Sequence, residues 1–126
     1  DHNCVVYTGT HDNDTTLGWY YKLKEEDREF CDEYMNLARC TADELHWEFI
    51  RAALSSVADL AVIPVQDYLA LGSEGRINTP STLGDNWEWR MRKDAFTKEL
   101  AEEIRAMTGL YGRLPSEEKE GEEASP

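Results

Sequence analysis

The sequence predicts an α/β fold with a parallel sheet, because two short apolar segments alternate with amphipathic helical patterns. Residues 4–8 (CVVYT) and 60–65 (LAVIPV) are rich in β-branched side chains and have the length of strands that are covered on both faces. The segments between and after them show the apolar spacing of helices. The order of strand, helices, strand, loop and helix is that of two β/α units. Two strands cannot close a barrel, so either neighbouring strands are missing or the fold is mostly helical with a small sheet.

A polar run follows the first predicted strand. Gly9 ends the strand, and the next residues read THDNDTT. Asp14 or Thr15 is expected to cap a helix through Leu17 and Tyr20, because either side-chain oxygen can accept from the first free amides.

Two further helices are predicted before the second strand. Residues 25–38 are typical of a surface helix with one apolar stripe. Thr41 and Glu44 have the spacing of a capping box, which predicts the start of a stronger helix. The strand at 60–65 is expected to end near Pro64, which cannot donate to a ladder. The predicted inner face of the stronger helix consists of Leu45, Phe49, Ile50, Ala53, Leu54 and Val57.

The rest of the chain is predicted to be a long loop, a helix and a tail. Residues 72–89 have no period and are dense in Gly, Asn, Pro and Ser, and loops of this length are more often functional than idle. Residues 97–107 resume a helical pattern. The acidic run 115–126 is expected to be a disordered tail.

The composition limits the classes of partner. The chain has 126 residues, a net charge of -13 and a pI near 4.5. It lacks the clustered Lys and Arg that nucleic-acid backbones and anionic membranes require, so we expect neither as a partner. A neutral or cationic partner fits better.

The cysteines and the N-terminus indicate a compartment. Cys4, Cys31 and Cys40 are widely spaced and outside any CxxC pair, which indicates reduced thiols rather than a disulfide framework or a zinc knuckle. No signal-peptide pattern and no apolar run of membrane-spanning length is present. We therefore expect a cytoplasmic chain. Its first residue is not Met, which suggests a start within a longer protein.

Two polar clusters occupy the same place relative to the two predicted strands. His11, Asp12 and Asn13 follow the first strand, and Gln66 and Asp67 follow the second. Reactive side chains gather at the C-terminal strand ends of barrels and open parallel sheets. A structural turn needs only one Gly and one cap, so the two clusters together indicate a functional site.

Other interpretations of these residues stay open. Asp14 fits a helix cap better than a catalyst, and Asp67 fits either a cap for the next turn or a support for the site. His11 and Asp12 also fit a hydrogen-bonded turn pair. A metal site is a further alternative, although no second histidine lies near THDND. In carbohydrate chemistry, a carboxylate and an imidazole bind hydroxyls while an aromatic face such as Trp87 stacks on the ring.

Two long motifs carry a family resemblance. VYTGTHDNDTTLGWY and AVIPVQDYLALGSEGRINTPSTLGDNWEWR resemble the C-terminal part of the amylomaltases, the 4-α-glucanotransferases of the α-amylase-like clan of retaining (β/α)8 enzymes. The resemblance runs from Val5 to beyond Arg90. It implies that 5–10 is the seventh strand and 60–65 the eighth strand of a TIM barrel. Residues 1–114 would then be the C-terminal segment of the catalytic barrel, incomplete on its own.

The resemblance also implies roles for the polar residues. Asp12 would stabilise an oxocarbenium-like transition state by binding ring hydroxyls, with His11 donating beside it. No metal or cofactor is implied. The candidate substrate-binding residues are Asn13, Asn86 and Trp87, and the candidate supporting residues are Gln66 and Asp67.

The sequence departs from the family pattern at two places. Members often read PGT where this chain has Pro80, Ser81 and Thr82, and GNW where it has Asp85, Asn86 and Trp87. Ser in place of Gly can change the turn, and Asp85 adds a charge to the loop.

The implied activity of the complete protein is transfer of α-1,4-glucan segments between maltooligosaccharides through a covalent glycosyl-enzyme intermediate. The nucleophile and the acid/base would lie on earlier strands, so this chain alone is expected to be inactive. Its expected partners are α-1,4-glucans, maltooligosaccharides and the rest of the barrel. The alternatives are a non-catalytic module that binds α-glucan or a protein, and a metal-dependent hydrolase.

Overall fold

The computed structural model describes residues 2–116 and contains a parallel sheet of two strands, β1 (Val5–Tyr7) and β2 (Leu60–Val62). The register places the C-terminal ends of both strands at the same edge of the sheet. The parallel pairing predicted from the sequence is therefore confirmed. The paired residues are Val5 with Leu60, Val6 with Ala61, and Tyr7 with Val62.

Both strands are shorter and more exposed than their apolar sequences predict. Tyr7 is 52% exposed and Leu60 is 55% exposed. Within residues 2–116 the sheet has only these two strands, so each of them is an edge strand. The second strand ends at Val62 because Pro64 has no N–H for a ladder and precedes a short helix.

Helix α1 (Thr16–Tyr21) begins directly after the polar run. Thr15 is its N-cap, and the hydroxyl of Thr15 accepts from the amide of Gly18 at 3.0 Å. The amide of Thr15 in turn donates to Asp14 at 2.8 Å. Of the two caps that the sequence allows, Thr15 is the one observed.

Removal of this cap is expected to destabilise the chain measurably. Thr15→Ala should lower the free energy of unfolding by about 1 kcal/mol, because the amide of Gly18 loses its acceptor. Thr41→Ala is the matched control, since the side chain of Thr41 makes no capping bond and its loss should cost less than about 0.5 kcal/mol. Urea unfolding of both variants measures the difference, and equal midpoint shifts would contradict the assignment.

Helix α2 (Glu25–Tyr34) ends earlier than the predicted residue 38. Asn36 adopts a left-handed φ of 56°, which an Asn tolerates but a continuing helix does not, and Leu37–Arg39 form a 3-10 turn. Of the predicted apolar stripe, Leu37 packs into a buried cluster, but Phe30 and Tyr34 do not. Phe30 and Tyr34 are 69% and 79% exposed, with their rings stacked at 6.1 Å.

Helix α3 (Leu45–Leu54) carries the best-buried side chains. Ile50 is fully buried, and Ala53 and Leu54 lie beside it on the same helix face. The predicted inner face is confirmed except at Val57, which lies beyond the helix and is 64% exposed. One apolar cluster joins Leu45 to Leu17, Tyr20 and Leu37.

The capping box predicted for α3 is wrong. The side chain of Thr41 makes no capping bond, and Ala42–Glu44 form a 3-10 turn instead. The helix begins after that turn, at Leu45, without a side-chain cap. Its stability therefore comes from the buried face rather than from its first residues.

A short helix α4 (Val65–Tyr68) follows β2 and holds Gln66 and Asp67, both buried. The only regular element between residue 72 and residue 96 is the 3-10 turn Ser73–Gly75. The long loop predicted from the sequence is confirmed.

The chain divides into two compact units, the first ending at Phe96 and the second beginning at Thr97. The second unit contains helix α5 (Lys98–Leu110), capped by the hydroxyl of Thr97, which accepts from the amide of Leu100 at 3.1 Å. The acidic tail predicted at 115–126 lies, from residue 117 onward, outside the described residues. No helix between residues 2 and 116 has both the length and the apolar character needed to cross a membrane.

Candidate functional site

An open cleft of about 390 Å³ lies at the edge of the sheet where both strands end. The turn after β1 forms one wall, α4 forms the floor, and the residues after the 3-10 turn close the far side. This is the position in which parallel α/β folds place their ligands. Its lining includes Tyr7, His11, Asn13, Gln66, Asp67 and Arg76.

His11 lines the cleft, and Asp12 lies just outside its lining, in contact with His11. The imidazole Nε2 of His11 is 3.4 Å from Oδ2 of Asp12, and the two side chains are 59% and 52% exposed. The two side chains therefore touch each other and remain accessible to solvent. A carboxylate and an imidazole so arranged can bind adjacent hydroxyl groups of one ligand.

Two residues of the long loop donate hydrogen bonds to Asp12. The side-chain amide of Asn78 donates to Oδ1 of Asp12 at 2.8 Å, and the guanidinium of Arg76 donates to its backbone carbonyl at 2.9 Å. The same guanidinium donates through Nε to the carbonyl of Asn78 at 2.9 Å. Sequence reasoning missed both residues. The available signal was that Arg76 is the single cation in residues 72–89.

Trp87 presents its ring to His11. The ring centroids are 5.3 Å apart at 38°, and Trp87 is 54% exposed rather than part of a core. Its backbone has a φ of 64°, which is unusual and costly for a bulky residue. The amide of Trp87 donates to the carbonyl of Ile77 at 2.8 Å, which ties this strained residue to the segment that contacts Asp12. The exposed indole therefore lies beside the imidazole of His11.

The two candidate asparagines have different surroundings. Asn13 lines the cleft, and its Oδ1 accepts from the amide of Thr10 at 2.8 Å and from its hydroxyl at 3.0 Å. Asn86 instead organises the loop, since its Oδ1 accepts from the amide of Thr79 at 2.9 Å and its Nδ2 donates to the hydroxyl of Thr82 at 3.0 Å. The geometry of Asn86 matches loop positioning.

Positive backbone φ recurs where the sequence departs from the family glycines. Ser81 has a φ of 64° and Asp85 a φ of 56°. Glycine adopts this region without steric cost, whereas other residues pay for the Cβ. Ser81 and Asp85 thus hold a conformation that glycine adopts more readily.

Gln66 and Asp67 form the floor of the cleft. Asp67 is 3% exposed, and it accepts from the hydroxyl of Thr8 at 2.6 Å and from the amide and hydroxyl of Thr16, both at 2.9 Å. Gln66 donates to the carbonyl of Gly75 at 3.2 Å. Asp67 does not cap its own short helix. It joins the end of β1 to the start of α1.

Within residues 2–116, no group of three or more His, Cys, Asp or Glu side chains is arranged to hold a metal ion. The described site offers three groups that can form hydrogen bonds: the carboxylate of Asp12, the imidazole of His11 and the amide of Asn13. The exposed ring of Trp87 lies beside them. These are the groups that bind a neutral polyhydroxylated ligand.

Comparisons with known proteins agree with this description. A sequence model of the family described as 4-alpha-glucanotransferase matches residues 1–97. A 4-alpha-glucanotransferase of Synechocystis is 47% identical over 112 residues, which cover 88% of this chain and 22% of that protein. A 4-alpha-glucanotransferase of Thermus thermophilus is 43% identical over 113 residues, which cover 87% of this chain and 23% of that protein.

The fold agrees as well. The structure of the amylomaltase from Streptococcus agalactiae in complex with acarbose is 30% identical and matches with a TM-score of 0.84, over 91% of this chain and 23% of that one. The chain thus spans less than a quarter of the length of these relatives. Sequence and fold lead to the same conclusion: the chain belongs to the 4-alpha-glucanotransferase family.

Proposed function

We propose that this chain forms one wall of the active site of a retaining 4-α-glucanotransferase, which transfers α-1,4-glucan segments between maltooligosaccharides. The observation that carries the proposal is the contact between His11 and Asp12 at the strand-end cleft, with Trp87 beside them. The family membership of the chain and the acarbose bound to its structural relative support a glucan as the ligand.

Asp12 acts on the transition state in this proposal. As the glycosidic bond breaks, positive charge develops on the sugar ring, and hydrogen bonds to ring hydroxyls strengthen. The carboxylate of Asp12 accepts such bonds and opposes the developing charge, while His11 donates to a neighbouring hydroxyl. The indole of Trp87 covers an apolar face of the sugar.

The bond-making groups lie elsewhere in the complete protein. A retaining mechanism needs a nucleophilic carboxylate and a separate acid/base about 5–5.5 Å from it. We assign β1 and β2 to the seventh and eighth strands of a (β/α)8 barrel, whose earlier strands supply these two groups. The exposed outward side chains of both strands, such as Tyr7 and Leu60, fit burial against the rest of that barrel. A cytoplasmic location is part of the proposal.

The isolated chain is expected to be inactive. Incubated with maltotriose, it should release neither glucose nor longer maltooligosaccharides, because it supplies a transition-state stabiliser without a nucleophile or an acid/base. Co-expression with the remaining barrel segments of the same family should restore disproportionation. Chromatography of the products measures both results.

The control for this experiment is the barrel segment without the chain, which should also be inactive. Disproportionation at enzyme-like rates by the isolated chain would refute the proposal. Binding of maltooligosaccharide without activity in the reconstituted protein would favour the non-catalytic glucan-binding alternative.

A further inference from the structure

The turn that carries Asp12 carries a second carboxylate with the opposite orientation. The side chain of Asp14 is 9% exposed, compared with 52% for that of Asp12. Its Oδ2 accepts from the hydroxyl of Ser73 at 2.7 Å and from the ammonium of Lys22 at 3.0 Å, and its Oδ1 accepts from the amide of Thr15 at 2.8 Å. The carboxylate of Asp14 is therefore mostly buried, and both of its oxygens accept hydrogen bonds.

The surroundings of Asp14 favour its ionised form. Burial alone would raise the pKa of Asp14, but the bonds from Ser73, Lys22 and the amide of Thr15 outweigh burial and hold the pKa below its ordinary value. The contact with Ser73 is consequently a charge-assisted hydrogen bond, which is stronger than one between neutral groups.

Ser73 is the first residue of the segment that reaches Asp12. It opens the 3-10 turn Ser73–Gly75, and the chain then passes to Arg76 and Asn78, which donate to the carbonyl and carboxylate of Asp12. The segment 73–78 is thus bound to the strand-end turn at both of its ends. Asp14 binds the first residue of the segment, Ser73, and Asp12 binds the last, Asn78.

The backbone at Gly18 leaves no space for a Cβ atom. A Cβ placed on Gly18 would lie 2.5 Å from Oδ1 of Asp14 and 2.7 Å from Oγ of Ser73. Gly18 therefore permits the close approach between α1 and the loop. A helix cap alone would not require this approach, because the capping bond to Gly18 comes from Thr15.

We propose that Asp14 and Ser73 are positioning residues for the glucan site: their bond holds segment 73–78 so that Asn78 fixes the carboxylate of Asp12, and Arg76 its backbone carbonyl, beside His11. The inference rests on the proposed function of Asp12. Asp14 itself touches no substrate in this account. It acts through the loop.

The first test measures the geometry of the site in the 126-residue chain. In isotope-labelled protein, NMR should show a contact between the side-chain amide protons of Asn78 and the β protons of Asp12. Ser73→Ala should abolish this contact, and Gly18→Ala should abolish it without changing any charge. Ser73→Thr keeps the hydroxyl and should preserve the contact.

Asp85→Asn is the matched control, because it removes an exposed acid from the same loop and should leave the contact intact. Signals of α3 report whether each variant is folded. If Gly18→Ala loses these signals, Ser73→Ala, which removes only one hydroxyl, decides the test by itself. Survival of the contact in folded Ser73→Ala and Gly18→Ala would overturn the proposal.

The second test separates positioning from simple stabilisation. In the complete glucanotransferase containing this chain, Ser73→Ala should lower kcat per folded molecule by about tenfold or more, with a smaller change in KM, because misplacing the site by about 1 Å can cost up to about 100-fold. Ser73→Thr should restore kcat. Combined with Asp12→Asn, Ser73→Ala should add little further loss, since both act through the same carboxylate.

The outcomes distinguish the two proposals. If Asp12→Asn leaves kcat unchanged, the proposed function fails, and the NMR contact still decides the positioning role. If Asp12→Asn is severe but Ser73→Ala leaves kcat unchanged or adds its full effect independently, the positioning role fails and the proposed function stands.

Discussion

Asp12→Asn is expected to lower kcat of the complete glucanotransferase by about 100- to 1,000-fold, the loss typical when a preorganised electrostatic group is removed from a transition state. The substitution keeps an oxygen that can accept from Asn78, so the loop should stay in place while the negative charge is lost. Initial rates of maltotriose disproportionation, with KM determined separately, measure the effect. KM should change less than kcat, because the interaction strengthens as charge develops.

The matched control is Asp85→Asn, which removes an exposed acid from the loop without touching the cleft and should leave kcat within about twofold. Equal rates for Asp12→Asn and the unaltered enzyme would remove Asp12 from the mechanism. A loss confined to KM would assign it to uniform substrate binding instead.

Asp67→Ala is expected to have the largest effect on stability. The carboxylate of Asp67 is 3% exposed and accepts three bonds, from Thr8 and from the amide and hydroxyl of Thr16. Its removal leaves these donors without their acceptor, and the loss should be about 3–5 kcal/mol, given about 1.5–3 kcal/mol for a bond to a charged group. Urea unfolding followed by circular dichroism measures the change.

Asp59→Ala is the control for this substitution, since Asp59 is an exposed acid directly before β2 and should change stability by less than about 0.5 kcal/mol. A similar small change for Asp67→Ala would show that the three bonds do not link β1 to α1 as described.

The sequence was most informative where chemistry and local pattern coincide. The two β-branched segments predicted a parallel pair, and the polar groups after each strand predicted a shared edge, because parallel strands end on the same side. His11 and Asp12 are neighbours in sequence, so their proximity was predictable from the turn alone. The same holds for the cap of α1, which local spacing limited to Asp14 or Thr15.

The missed contacts depend on separations that no local pattern encodes. Arg76 and Asn78 reach Asp12 across 64 and 66 residues, and Ser73 reaches Asp14 across 59. A loop without periodicity gives no register from which to infer such partners. The inward orientation of Asp14 was hidden for the same reason, since its helix-cap interpretation used only neighbouring residues.

Helix ends were predicted less well than helices. The apolar spacing of α2 continues through Tyr34 toward residue 38, but left-handed Asn36 stops the helix first. Thr41 and Glu44 have the letters of a capping box, yet a 3-10 turn occupies their place. In both regions the apolar spacing identified the helix but not the residue at which it begins or ends.

The central claim is that His11 and Asp12 both form hydrogen bonds to one glucose ring at the reacting bond. A crystal structure of the complete protein with a bound maltooligosaccharide tests it most directly. We predict that both side chains lie within hydrogen-bond distance, about 2.6–3.2 Å, of hydroxyls on the sugar next to the cleaved bond, with Trp87 against the saccharide. A glucan bound in the catalytic cleft with both side chains beyond reach of any hydroxyl would contradict the claim.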